Sequence, residues 1–192
     1  MESIAAPFVI AIASVSGGGK TTAVESLTQV LPNAKALYFD QYDFAGPEDM
    51  MQWLDKGADP NEWDLTPLLA ELKLLLAEPL DYIILDFPFA YQQAQSCRYI
   101  DFTVFIDTPL DLALSRRLMR DFSGAAGDRI LEDVRYYARS GREAYLHMLS
   151  TIKPDSDAVI DGNQTVLDIV HSIAEKSKLF RNRGITNESS FS

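Results

Sequence analysis

The stretch Ile10-Ala11-Ile12-Ala13-Ser14-Val15-Ser16-Gly17-Gly18-Gly19-Lys20-Thr21-Thr22 decides how this chain folds. Its first half belongs to an apolar run over residues 8–15 that reads as a buried strand, and from Thr21 onward the pattern turns helical. Between the two, Gly17, Gly18 and Gly19 let backbone N–H groups curl around an anion, because glycine accepts dihedrals and close approaches that a Cβ forbids. Lys20 adds a point charge for β- and γ-phosphates, and Thr21 adds a hydroxyl for Mg2+. The usual pattern G-x-x-x-x-G-K-[ST] is met except at its first position, where Ser14 replaces glycine. Ser16, Gly17, Gly18, Gly19, Lys20, Thr21 and Thr22 are therefore expected to hold the triphosphate of ATP, with Thr21 on Mg2+.

Working outward, apolar β-rich runs alternate with helical segments. Strands are expected over 34–40, 82–86, 102–107 and 158–161, and helices over 66–77, 109–122, 128–152 and 165–178, the third of these interrupted at Gly141. Thr66-Pro67 reads as a helix start, with Thr66 as the capping hydroxyl. Leu68, Leu69, Leu72, Leu75 and Leu76 surround the helix that follows, which points to deep burial. Strands separated by helices imply a parallel sheet covered on both faces, an α/β three-layer sandwich of five strands. Ligands then bind beyond the carboxyl ends of the strands. The glycine loop, Asp40, Asp86 and Asp107 all follow or close strands, so they are expected at one edge.

Composition narrows the class. A chain of 192 residues with 47% hydrophobic content is the size and balance of one domain with a full core, assigned to residues 1–179. A net charge of -11 argues against nucleic acid and anionic membrane as partners. The single Cys97 excludes an intramolecular disulfide and reads as a small, partly buried side chain. The first apolar run is too short to span a membrane and has no basic leader, so a cytoplasmic protein is expected. Residues 180–192, rich in Asn, Ser and Arg, read as a flexible tail.

Phosphoryl transfer needs a carboxylate near the acceptor hydroxyl and support for the metal. Asp40, closing the second strand, is the first candidate for base or acceptor-orienting group, and Asp43 the second. Asp86 ends Tyr82-Ile83-Ile84-Leu85-Asp86, where a carboxylate reaches Mg2+ directly or through water. Asp107-Thr108-Pro109 reads instead as turn and helix-start chemistry. Arg116, Arg117 and Arg120, followed by Arg129, Arg135, Arg139 and Arg142, form a basic run near glycines. They suggest a helical lid over about 116–142 that clamps triphosphate oxygens. Arg116 and Arg120 share a helix face and are expected to act on the transferring group, with Arg117 elsewhere on the nucleotide. Trp53, Trp63, Phe87, Phe89 and Tyr91 offer rings for stacking, although core packing is the commoner use of such residues.

Residues 14–22, the segment Tyr38-Phe39-Asp40-Gln41-Tyr42-Asp43-Phe44, the pair Trp63-Asp64 and the run Arg116-Arg117-Leu118-Met119-Arg120-Asp121 together resemble the uridine kinase and nicotinamide riboside kinase group of P-loop kinases, with phosphoribulokinase more distant. The resemblance implies a P-loop NTPase fold, and an Asp40 that acts on a ribose 5′-hydroxyl. It also implies that Trp63-Asp64 holds the nucleoside sugar, and that the arginine run is the lid. The implied activity is ATP-dependent transfer to a small-molecule hydroxyl, most simply the 5′-hydroxyl of uridine, cytidine or nicotinamide riboside. Two departures stand out. The family's Glu-Gly after the third strand is replaced by Asp86-Phe87-Pro88, and residues 49–59 match no nucleoside pocket. These leave open a kinase for another alcohol, or a nucleotide-binding regulator without transfer. A GTPase switch is disfavoured, since no Asn-Lys-x-Asp motif is present.

Overall fold

A computed structural model describes residues 6–188. Its centre is a five-stranded sheet of β1 (Phe8–Ala13), β2 (Ala34–Tyr38), β3 (Tyr82–Asp86), β4 (Phe102–Asp107) and β5 (Ala158–Asp161), in the order β2-β3-β1-β4-β5. Every pairing is parallel, with Ile12 opposite Asp86 and Tyr38 opposite Asp86 from the other side. The side-chain alternation of the strands divides the core. Val9, Ala11, Ile83 and Leu85 face one layer with Leu68, Leu69, Leu72 and Leu75 of α3 (Thr66–Leu76). Ile10, Ile12, Ile84, Val104 and Ile106 face the other, against α1 (Lys20–Val30) and α7 (Val166–Glu188). Central strands buried on both faces explain why they read as unbroken apolar runs.

Beyond the carboxyl ends of the strands lie α2 (Met50–Asp55), α4 (Leu110–Asp121), α5 (Gly127–Tyr136) and α6 (Arg142–Thr151). Between α5 and α6 the chain makes one wide π turn, Tyr137–Gly141, so the long helix expected over 128–152 is broken where Gly141 suggested. The expected strand over 34–40 stops at Tyr38, and Phe39–Gln41 forms a tight 3₁₀ turn that carries Asp40 out of the sheet.

Two further expectations are corrected. The cap of α3 is the Asp64 carboxylate, which accepts from Thr66 N (3.0 Å) and from Thr66 Oγ1 (2.6 Å), so the Thr66 hydroxyl is a donor here. The last helix does not end near residue 178 but continues to Glu188. Its extension is anchored by Phe180, whose ring centroid lies 5.0 Å from that of Phe102. Arg181 adds to this with its guanidinium over the rings of Tyr82 (5.1 Å) and Phe8 (5.8 Å). A polar composition thus conceals a helical extension with ring contacts to the sheet. Residues 189–192 of the expected tail lie outside the described residues. Among the described residues no helix is long and apolar enough to cross a membrane.

Candidate active site

β1 ends at Ala13, and residues 14–19 form a tight loop into α1. Gly17 (φ 79°) and Gly19 (φ 96°) occupy the left-handed region, where a side chain is strained. Gly17 has a second constraint, since a Cβ there would run into the carbonyl group of Ala113 at the start of α4. The loop is braced from within by Gly18 N donating to Val15 O (2.9 Å) and from outside by Thr108 Oγ1 donating to Gly18 O (2.8 Å). Ser14, buried at the position where the usual pattern has glycine, donates its hydroxyl to Val15 O (3.0 Å). The replacement is thus accommodated inside the loop. No side chain caps α1, so its first N–H groups remain free at the positive end of the helix dipole. That is a built anion site.

Lys20 and Thr21 both lead to Asp86, at the end of the adjacent strand. Thr21 Oγ1 donates to Asp86 Oδ2 (2.5 Å), and Lys20 Nζ lies 3.3 Å from Asp86 Oδ1. Asp86 is only 4% exposed in its side chain, and Oδ1 is buried without a hydrogen bond. A buried carboxylate oxygen with one lone-pair side open, next to a threonine hydroxyl, matches what Mg2+ takes from a protein when phosphates and water complete its shell. Among the described residues no three acidic, histidine or cysteine groups gather into a metal cage. Phe87 N donates to Ile12 O (3.0 Å), so the Phe87-Pro88 departure extends the sheet by one bond. Phe87 itself is fully buried in the core.

The arginines divide. Arg116 and Arg120 line an open cleft of about 410 Å3 with Gly17, Gly19, Lys20 and Thr21. On its far side Arg116 also bounds a space of about 210 Å3 with Gly18, Gly19, Thr22, Gln164 and Val166. Arg120 donates to Asp121 (Nε to Oδ1, 2.6 Å), which with the nearby charges of Asp121 and Asp40 holds its guanidinium more firmly protonated than usual. Arg117 is a correction to the expectation of a nucleotide contact. Both of its terminal nitrogens bond the Asp133 carboxylate, so it ties α4 to α5.

On the acceptor side, Asp40 is exposed and close enough to Arg120 to influence its charge. Asp43 is also exposed, and neither aspartate lines either cleft. Trp63 lines a separate cavity, but Asp64 is engaged as the α3 cap, and its carboxyl is held below the usual range by the two Thr66 bonds. Ser16, expected among the phosphate ligands, also lines that same cavity. Asp107 makes an ion pair with Lys153 (2.6 Å), in keeping with a structural role. Tyr91 donates to Asp157 (2.7 Å), which also accepts from Thr103 N (2.8 Å), and Tyr91 lines none of these clefts. Cys97 is partly buried and unpaired.

Tyr145 is the residue that sequence reasoning missed. It projects from α6 with its buried hydroxyl close to the Ser16 side chain. Burial raises its pKa, against the opposing pull of Arg117 and Ser16. The stripe Ala144, Tyr145, Met148, Ile152 has the i, i+3, i+4 spacing of an inward helix face, which was the available signal.

No protein-family model matches the chain. It is 26% identical over 177 residues to the uridine kinase of Borrelia hermsii, covering 79% of this chain and 85% of that protein. The uridine kinase of Oceanobacillus iheyensis is 25% identical over 202 residues, covering 88% and 95%. The chain resembles the uridine kinases. Its fold is that of the P-loop kinases. A gluconokinase from Sinorhizobium meliloti superposes with a TM-score of 0.56 at 16% identity, over 94% of this chain and 97% of its own. Shikimate kinase from Aquifex aeolicus gives 0.51 at 16% identity, over 89% and 96%.

Proposed function

We propose that this chain is an ATP-dependent phosphotransferase that moves the γ-phosphoryl group of ATP to a hydroxyl of a small molecule. The observation that carries the reading is the uncapped start of α1, wrapped by Gly17, Gly18 and Gly19, with Lys20 and Thr21 both drawn to Asp86. The backbone N–H groups of the loop bind the phosphates, while Lys20, Arg116 and Arg120 offset their charge as it shifts. The nucleoside end of ATP has room between Arg116, Gln164 and Val166. Mg2+, held by Thr21 and supported by Asp86, would supply further charge neutralisation across the phosphates. The acceptor oxygen attacks the γ-phosphorus, a new P–O bond forms and the bond to the bridging oxygen breaks, so ADP leaves with that electron pair. Asp40 orients the acceptor hydroxyl and takes its proton. The α4–α6 segment serves as the lid.

Names of relatives support a ribonucleoside 5′-hydroxyl as acceptor, and Trp63 beside the cavity is compatible with it. One observation favours a second reading, an alcohol with a less polar body: the walls of the cavity beside Ser16 are almost wholly apolar. The test is ADP release with Mg·ATP across nucleosides and other alcohols. Lys20→Ala is expected to lower acceptor-dependent release by at least ~10³-fold, in the range seen when a charge-stabilising group is removed. Near-normal release in that variant would remove the assignment, and ATP binding with no acceptor-dependent release would point to a regulator.

A further inference from the structure

The cavity beside Ser16 has a volume of about 310 Å3 and lies between α2 and α6. One wall is Trp53 with Met50 and Leu54, the other Tyr145 with Met148 and Ile152, and the floor is Phe39, Trp63 and Phe89. The floor rings are locked together edge to face, Phe39 with Phe89 at 5.4 Å and Phe39 with Trp63 at 5.8 Å, and Trp53 meets Trp63 at 6.1 Å. Such interlocked rings hold their shape without a ligand. The cavity also touches the chemistry at two points. Ser16 belongs to the phosphate loop, and Phe39 immediately precedes Asp40.

No lysine, arginine, aspartate or glutamate lines this space. Trp53 Nε1 already donates to Asp59 O (3.0 Å). What remains is Trp63 Nε1, buried without a partner, the Tyr145 hydroxyl buried beside Ser16, and His147. A pyrimidine base brings two carbonyls and an N–H, its ribose further hydroxyls, and a sugar acid a carboxylate. Each polar group that loses water here without gaining a partner weakens binding by roughly 5–150-fold. An apolar ring loses nothing and gains aromatic contact.

Resting on the phosphotransferase reading above, we infer that the acceptor is a small alcohol with an uncharged, apolar ring as its body, seated among Trp53, Trp63, Phe89 and Tyr145. Its hydroxyl emerges past Ser16 toward Asp40. The transfer is the one already written: the alcohol oxygen gains the phosphoryl group, its proton passes to Asp40, and ADP leaves.

The chain has two tryptophans, Trp53 and Trp63, and both line the cavity, so their emission reports occupancy without turnover. The full-length protein is titrated with 2-phenylethanol and cyclohexylmethanol, and separately with uridine and gluconate, while emission excited at the indole band edge is followed. ADP release is then measured with the same compounds and Mg·ATP. Both ring alcohols are expected to shift the emission saturably, and to give kcat/KM at least ~10-fold above uridine, the effect of one unpaired polar group. Ala144→Phe, which projects a ring into the space, is expected to abolish the shift while ATP still binds. A saturable shift without ADP release from either ring alcohol overturns the inference that this cavity seats the acceptor, while the phosphotransferase reading stands or falls on the wider acceptor panel. No shift from either ring alcohol in the unmodified protein, or uridine or gluconate exceeding them in either measurement, overturns the inference.

Discussion

Thr21 Oγ1 donates to Asp86 Oδ2 across 2.5 Å, joining the first turn of α1 to the last residue of β3, 65 positions away in sequence. The bond holds the Thr21 hydroxyl, proposed above as a Mg2+ ligand, against the buried carboxylate. Asp86→Asn keeps an oxygen to accept from Thr21 but removes the charge. It is expected to raise the Mg2+ concentration for half-maximal activity by about 10–100-fold, as for other groups that support a metal. The check is a Mg2+ titration at fixed ATP. An unchanged Mg2+ requirement would make Asp86 simply the buried counter-charge of Lys20.

Asp40 sits on the 3₁₀ turn just past β2, exposed and close enough to Arg120 to influence its charge, and it is the base proposed above. Asp40→Asn is expected to lower kcat by about 10²–10⁴-fold, the usual contribution of a positioned acid–base group. The KM for ATP should stay within about threefold, because the interaction lost is made only in the transition state. Asp43→Asn is the companion variant. If it carries the larger loss in kcat, the two aspartates exchange roles.

The strand, the glycine loop and the carboxylate closing β3 were legible because each is a local pattern. Alternation, glycine content and a strand-end acid depend on neighbours in sequence, and the parallel order follows from strands separated by helices. Arg117 was not legible. An arginine on a helix carries the same local signal whether it meets a phosphate or Asp133, and only the packing of α5 on α4 decides. Tyr145 was hidden for a related reason, since its periodic stripe announces an inward face but not that the face meets Ser16. Asp64 carried a second signal besides the family likeness. An aspartate two residues before Thr66-Pro67 is a cap pattern, and the family likeness of Trp63-Asp64 drew the reading toward a sugar.

The Arg117–Asp133 pair predicts a separation of stability from catalysis. Their side chains are 17% and 16% exposed, so removing one partner strands the other with little water. Arg117→Ala is expected to cost about 2–3 kcal/mol, lowering Tm by roughly 5–10 °C. Arg117→Met with Asp133→Leu should recover at least half of that loss, since an apolar pair leaves no buried charge. The KM for ATP is expected within about threefold of the unmodified chain, under ~0.7 kcal/mol. Thermal melts and ATP titrations of the three proteins check this. A large rise in KM with an unchanged Tm would return Arg117 to the nucleotide.

Asp64 yields a prediction about acid stability. Its carboxyl is held below the ordinary value of 3.8 by the side-chain bond from Thr66 first and the backbone bond second. The folded state therefore binds this proton less readily than the unfolded chain. The stabilisation is complete above the unfolded pKa, begins to drain below about pH 5, and is gone once pH has fallen through the folded pKa. Asp64→Asn keeps an acceptor oxygen for Thr66 but has nothing to titrate. Relative to it, the unmodified protein should lose stability more steeply between about pH 5 and 3, with the two curves parallel at neutral pH. Urea midpoints across that range measure the difference. The same variant should leave the KM for the acceptor within about threefold, because the carboxylate caps α3 and takes no part in the cavity. A rise in that KM of an order of magnitude with parallel acid limbs would give Asp64 to the substrate after all.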